Sequence, residues 1–106
     1  MVNWRTLKSK IPHRVQIKKG VFYEICWIQS FHDPNTLGET RFTERQIVLK
    51  MDQSPKETVT TYFHELAHAV SGEYNIGLTE TQVLQFEKSL YYLLKKENVF
   101  KRKPDA

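Results

Sequence analysis

Apolar and polar residues alternate along the first half of the chain, which is the pattern of strands with one buried face. A first stretch carries Val15 and Ile17, and a turn predicted at Lys19 and Gly20 leads into a second, longer stretch. The apolar positions on one side of the second stretch are Val21, Tyr23, Ile25 and Trp27. These two stretches predict an antiparallel hairpin.

A third alternating stretch is QIVLKM, residues 46–51, with apolar positions at Ile47, Leu49 and Met51. The segment before it, residues 32–45, is rich in turn formers and charges, which favours a loop with room for a short extended piece. The expected fold class is therefore α+β, with a small, mainly antiparallel three-stranded sheet followed by helices.

The periodicity becomes helical after residue 53. Ser54 can cap a helix, Pro55 suits its first position, and Glu57 completes a capping box. Apolar residues then recur at the spacing of one helical stripe, at Val59, Phe63, Leu66, Ala67 and Val70. Gly72 is the predicted stop. The pattern predicts a first helix of about five turns.

A second helix is predicted over residues 79–96, where Thr79 and Gln82 have the spacing of another capping box. One face of this helix should pack on the first helix, and it carries Glu80, Val83, Glu87 and Leu90.

Composition adds limits to this picture. With 106 residues, 40% hydrophobic and 26% charged, the chain is predicted to form a single domain over residues 1–106, with a frayed basic tail at 98–106. Cys26 is the only cysteine, which excludes an internal disulfide. No signal-peptide pattern or membrane-length apolar run occurs, so we expect a cytoplasmic monomer without a membrane partner.

The net charge of +4 comes largely from lysines and arginines near the two ends of the chain. Such clusters are more often a solvated face and a tail than a phosphate-binding surface. Since the chain contains no nucleic-acid-reading motif, a nucleic-acid partner is not expected.

The motif that carries chemistry is HELAH, residues 64–68, in the middle of the first predicted helix. His64 and His68 are one turn apart on the same face, so both can direct a ring nitrogen at one point, as a zinc ion requires. Glu65 is rotated by about 100° from His64, so it flanks the metal and can accept a proton there. The alternative is a polar surface on which two histidines fall by chance.

A capped helix with HELAH, preceded by QIVLKM and followed by a second helix, resembles the zincin metallopeptidases, and among them the minimal gluzincin-like domains of phages and mobile elements. The resemblance covers residues 46–95. It implies that the strand before the helix lines the cleft and can pair with an extended peptide or protein substrate. It also implies a Zn²⁺ cofactor held by His64, His68 and a downstream glutamate, with Glu65 as the catalytic base that activates a zinc-bound water for peptide-bond hydrolysis.

The third ligand must come from a carboxylate, because the chain has no histidine after residue 68. The candidates are Glu73, Glu80, Glu87, Glu97 and Asp105. Glu80 is preferred because it lies twelve residues after His68, enough for a turn and a return, on the face expected to meet the first helix. Glu73 has little freedom to turn back at the helix end, and Glu87 could be a ligand or accept a histidine N–H. An acid in a first helical turn is also favoured without any metal.

A second function remains open at this point. A chain of 106 residues has scarcely any second lobe to form a deep cleft. A zincin-like module that binds zinc and regulates or binds a partner, with little turnover, is therefore the alternative to a peptidase.

Overall fold

The computed structural model describes residues 2–96, and residues 91–96 by their backbone alone. This part of the chain forms an α+β fold with three helices and one four-stranded sheet. The elements in chain order are α1 (Trp4–Ser9), β1 (Arg14–Lys18), β2 (Val21–Ile28), β3 (Gly38–Arg41), β4 (Gln46–Lys50), α2 (Pro55–Glu73) and α3 (Glu80–Lys96). No helix within residues 2–96 is long and apolar enough to cross a membrane. The predicted tail at 98–106 lies outside the described residues.

The sheet has the order β1-β2-β4-β3, with β2 and β4 parallel and the other two pairs antiparallel. The hairpin at Lys19 and Gly20 is confirmed, and Gly20 has the positive φ of 78° that glycine tolerates without strain. The expected α+β class is confirmed. The sheet has four strands rather than the three expected, and its central pair is parallel, whereas its two outer pairs are antiparallel. Alternation identifies a strand but does not specify its neighbours, and β3 is only four residues long within the predicted loop.

The strand β4 lies between β2 and β3, and its three consecutive residues Ile47, Val48 and Leu49 are at most 1% exposed. Its backbone is therefore paired on both sides, and the expectation that the strand before the HELAH helix pairs with substrate is wrong. The edge strand on this side of the sheet is β3. Met51 lies beyond the end of β4 and is exposed.

The start of α2 is as predicted. The Ser54 hydroxyl accepts from the backbone N–H of Glu57 at 3.1 Å, and the Glu57 carboxylate accepts from the backbone N–H of Ser54 at 3.2 Å. The capping box of α3 also forms, through the backbone N–H and side-chain groups of Thr79 and Gln82. These reciprocal bonds satisfy N–H groups that a helix start leaves without partners.

The predicted stop at Gly72 is wrong, because α2 continues through Glu73. The chain then leaves the helix through positive φ angles of 53° at Asn75 and 71° at Gly77. Gly72 instead allows a close approach, since the ring of Phe42 lies where a Cβ at this position would be. The glycine at position 72 therefore allows the Phe42 ring to pack on α2 and does not end the helix.

The helix α2 buries more than the predicted apolar stripe. Residues with at most 8% exposure on this helix include Thr58, Thr61, Glu65 and Ser71 as well as Val59, Tyr62, Ala67 and Ala69. Strands β1, β3 and β4 and the helices α1 and α3 all contact α2, so most of its circumference is covered. The polar side of α2 is thus partly inside the protein.

The helix α1 was not expected from the sequence. It is six residues long and begins at an Asn3 cap whose side chain accepts from the N–H of Thr6. A helix of fewer than two turns shows too little of the helical period to be recognised from apolar spacing.

Candidate metal centre

His64 and His68 lie in the middle of α2 and direct the same ring nitrogen to one place. Their Nε2 atoms are 3.2 Å apart, and the rings meet edge to face. The side chains are 19% and 26% exposed, so they are shielded but reachable from solvent. The one-turn spacing in the sequence therefore produces the convergence that it predicts.

Glu80 reaches both histidines from the first turn of α3. Its Oε1 lies 2.8 Å from His64 Nε2, and its Oε2 lies 3.1 Å from His68 Nε2. One ligand atom from each of the three residues can be chosen so that all lie within 4.8 Å of one another. The loop after α2 thus returns the chain so that α3 begins at this point.

The donor set fits a zinc ion. Two ligands bound to one tetrahedral zinc at 2.0–2.1 Å are about 3.3 Å apart, close to the 3.2 Å between the two Nε2 atoms. Only one of the two facing nitrogens can donate a proton to the other. A cation at the point where His64, His68 and Glu80 converge would satisfy all three groups. Three protein ligands also leave the fourth position that catalytic zinc sites keep open.

The charges around Glu80 favour its ionised form. Partial burial acts to raise the pKa of Glu80, but hydrogen bonding and positive charge from His68 and His64 lower it overall. Its side chain is 64% exposed, so the carboxylate remains accessible from solvent. An ionised, accessible carboxylate is the form that a metal ligand requires.

Glu87 lies behind His64 rather than at the convergence point. Its Oε2 is 3.5 Å from His64 Nδ1, the ring nitrogen turned away from His68. The distance is long for a hydrogen bond, but the pairing is the one by which carboxylates orient ligating histidines. The sequence left two roles for Glu87, a metal ligand or an acceptor for a histidine N–H, and the geometry favours the second.

Glu73 is held elsewhere. Its Oε2 accepts from the Tyr23 hydroxyl at 2.6 Å and lies 3.5 Å from Arg45 Nε. These contacts direct the carboxylate to β2 and the β3–β4 turn, so the structure does not bring it to the histidines. The remaining candidates, Glu97 and Asp105, lie outside the described residues.

Glu65 is buried next to the cluster, at 8% exposure. Its Oε1 accepts a hydrogen bond of 2.8 Å from the Thr40 hydroxyl. Burial raises the pKa of Glu65, opposed by the Thr40 hydrogen bond and by the positive charge of His64 and His68. A carboxylate with a raised pKa is a better proton acceptor than an ordinary surface glutamate.

Sequence reasoning missed two residues of β3: Thr40, which bonds to Glu65, and Gly38, whose missing side chain lets β3 lie close to it. A Cβ at Gly38 would lie 3.2 Å from Glu65 Cγ and 2.5 Å from Thr61 Cγ2, so only glycine allows this approach. Both residues fall in the segment predicted as a loop, and neither has a motif that could have identified it.

Comparison of the chain with protein-family models, characterised proteins and solved structures found no match.

Proposed function

We propose that this protein is a zinc-dependent metallopeptidase that hydrolyses peptide bonds. The observation that supports the proposal is the convergence of His64, His68 and Glu80 on one point, with the separate carboxylate of Glu65 buried alongside. A site for structural zinc needs four protein ligands and no neighbouring base. Three ligands with a base are the set that a hydrolase needs.

Each residue then has a distinct task. His64, His68 and Glu80 hold the metal, and Glu87 orients the His64 ring through Nδ1. Zinc bound there would supply Lewis-acid chemistry, polarising a carbonyl and lowering the pKa of water. Glu65 accepts a proton from the water as the water attacks the peptide carbonyl. It can then donate that proton to the amine that leaves when the peptide bond breaks. Its burial keeps competing water away from the carboxylate.

The free edge of β3 offers a place for an extended substrate. The backbone N–H of Lys50 donates to the carbonyl of Leu37 at 2.9 Å, so Leu37 and alternate residues after it face β4. Gly38 and Thr40 therefore present their backbone groups to the opposite edge, where no strand pairs within residues 2–96. A peptide added there would run beside Glu65, and strand addition of this kind is a common mode of peptide recognition.

Replacing Glu65 by glutamine tests this function. Glutamine has the shape of glutamate but cannot act as a base, so Glu65→Gln should retain zinc and lose about 10²- to 10⁴-fold in peptidase rate. Zinc content is measured by elemental analysis, and cleavage is followed on unfolded proteins and peptide libraries. Glu24→Gln, at an exposed position of β2, is the matched control and should keep parent activity.

Two outcomes would contradict the proposal in different ways. Equal cleavage by the parent and the zinc-loaded Glu65→Gln protein would show that Glu65 is not the base. If the parent cleaves no substrate, and both forms bind the same protein partner equally well, the chain is a zinc-binding regulatory module instead.

A further inference from the structure

One side of β3 packs against α2 and is hydrogen-bonded to it at Glu65. Gly38 and Thr40 are alternate residues of this strand, so both face the helix. The absent side chain at Gly38 lets the strand lie against Thr61 and Glu65, and the Thr40 hydroxyl bonds directly to Glu65. The position of the edge strand and that of the carboxylate are therefore linked.

The Thr40 hydroxyl has two acceptors within reach, both on Glu65. Its Oγ1 lies 2.8 Å from the carboxylate Oε1 and 3.0 Å from the backbone carbonyl oxygen of the same residue. A hydroxyl has one proton to donate, and a charged acceptor binds it more strongly than a neutral carbonyl. The shorter contact to Oε1 is consistent with this order.

The other carboxylate oxygen has a different surrounding. A Cβ at Gly38 would be 3.4 Å from Glu65 Oε2, so the missing side chain leaves space beside that oxygen. Thr40 thus restrains one oxygen while Gly38 leaves room at the other. With Glu65 only 8% exposed, bulk water is poorly placed to replace the threonine hydroxyl.

We propose that Thr40 is a positioning residue for the base: its hydroxyl holds Glu65 Oε1, so that Oε2 is the oxygen that exchanges the proton. The catalytic part of this inference rests on the proposed peptidase function. The same threonine presents its backbone at the free edge of β3, so a peptide paired there would contact the residue that orients the base.

The kinetic test uses two substitutions of Thr40. Thr40→Val keeps the shape but removes the donor, and it should lower kcat on the order of 10- to 100-fold, since small misplacement of a catalytic group has effects of this size. KM and zinc content should stay within about twofold of the parent, because the base contributes to the transition state rather than to ground-state binding. Thr40→Ser restores the hydroxyl and should recover most of kcat, and Thr43→Val, exposed in the following turn, is the matched control.

A second readout needs neither zinc nor turnover. In zinc-free protein with ¹³C-labelled glutamate carboxyl groups, Thr40→Val should move the Glu65 resonance, which Glu65→Gln identifies by its loss. Thr40→Ser should return that resonance towards its parent position. If the resonance does not move in Thr40→Val, or if serine fails to restore both the resonance and kcat, Thr40 does not position Glu65. If the parent lacks peptidase activity, the proposed function fails and the resonance alone decides whether Thr40 holds the carboxylate.

Discussion

Two glutamates near the two ends of the α2–α3 connection have opposite surroundings. Glu73 is 13% exposed and is bound by the protein's own Tyr23 and Arg45. Glu80 is 64% exposed, and its neighbours are two imidazoles whose Nε2 atoms face each other. Glu73 therefore already has a hydrogen-bond donor and a positive charge beside its carboxylate. The carboxylate of Glu80 lies with two histidines at a place where a cation could bind.

The difference shows why residue type alone is a poor guide to a ligand. Both glutamates follow His68 within twelve residues, and both are compatible with a carboxylate ligand in sequence. A partly buried carboxylate with a hydroxyl and a guanidinium is satisfied by hydrogen bonding and charge, which contributes to stability. The carboxylate left in solvent beside histidines is available to bind a metal.

The largest expected effect follows from removing either histidine. His64→Ala and His68→Ala should each abolish the binding of close to one zinc per chain, because loss of one of three ligands costs affinity by several orders of magnitude. Calorimetric titration with zinc measures this. His13→Ala and His32→Ala, at exposed positions outside α2, are the controls and should bind zinc as the parent does. Stoichiometric zinc in either α2 variant would show that the metal centre lies elsewhere.

Replacing Glu80 and Glu73 by glutamine, one at a time, tests the comparison between them directly. Glu80→Gln should weaken zinc binding by more than the 10- to 100-fold that is typical of a partner outside the ligand set. Glu73→Gln should leave zinc binding unchanged but lower the unfolding free energy of zinc-free protein by about 1–3 kcal/mol, because it weakens a charge-assisted bond to Tyr23. Zinc titration and urea unfolding separate the two effects. Equal zinc affinity in the two variants would contradict the ligand assignment, and Glu87→Gln would then be tested next.

The last effect appears only at alkaline pH, above the range in which the protein would ordinarily be studied, and it concerns stability. Burial, the hydrogen bond to Glu73 and its negative charge raise the pKa of Tyr23 from 10.0 to about 12. Because the folded-state pKa is above the unfolded value, the contribution to stability is complete below pH 10 and is lost as pH rises through about 12. The loss amounts to roughly 2–3 kcal/mol. Urea unfolding at several pH values gives the unfolding free energy, and its decline between about pH 10 and 12 should be smaller in Tyr23→Phe than in the parent. The same dependence on pH in parent and variant would contradict this prediction.

The sequence alone determined the local features that depend on near neighbours. The capping boxes at Ser54 and Thr79 form as the spacing requires, because each joins groups three residues apart. The convergence of His64 and His68 likewise follows from the pitch of one helix. Glu80 was preferred from loop length and helix face, and the structure brings it to both histidines.

Contacts between distant segments were decided only by the tertiary structure. The parallel pairing of β2 with β4, the edge position of β3 and the Thr40–Glu65 hydrogen bond each join residues far apart in the chain. Alternation in a strand states which face is buried but not which strand lies beside it. The sequence favours Glu80 over Glu73 as a ligand, but only the fold supplies Tyr23 and Arg45 to Glu73 and two histidines to Glu80.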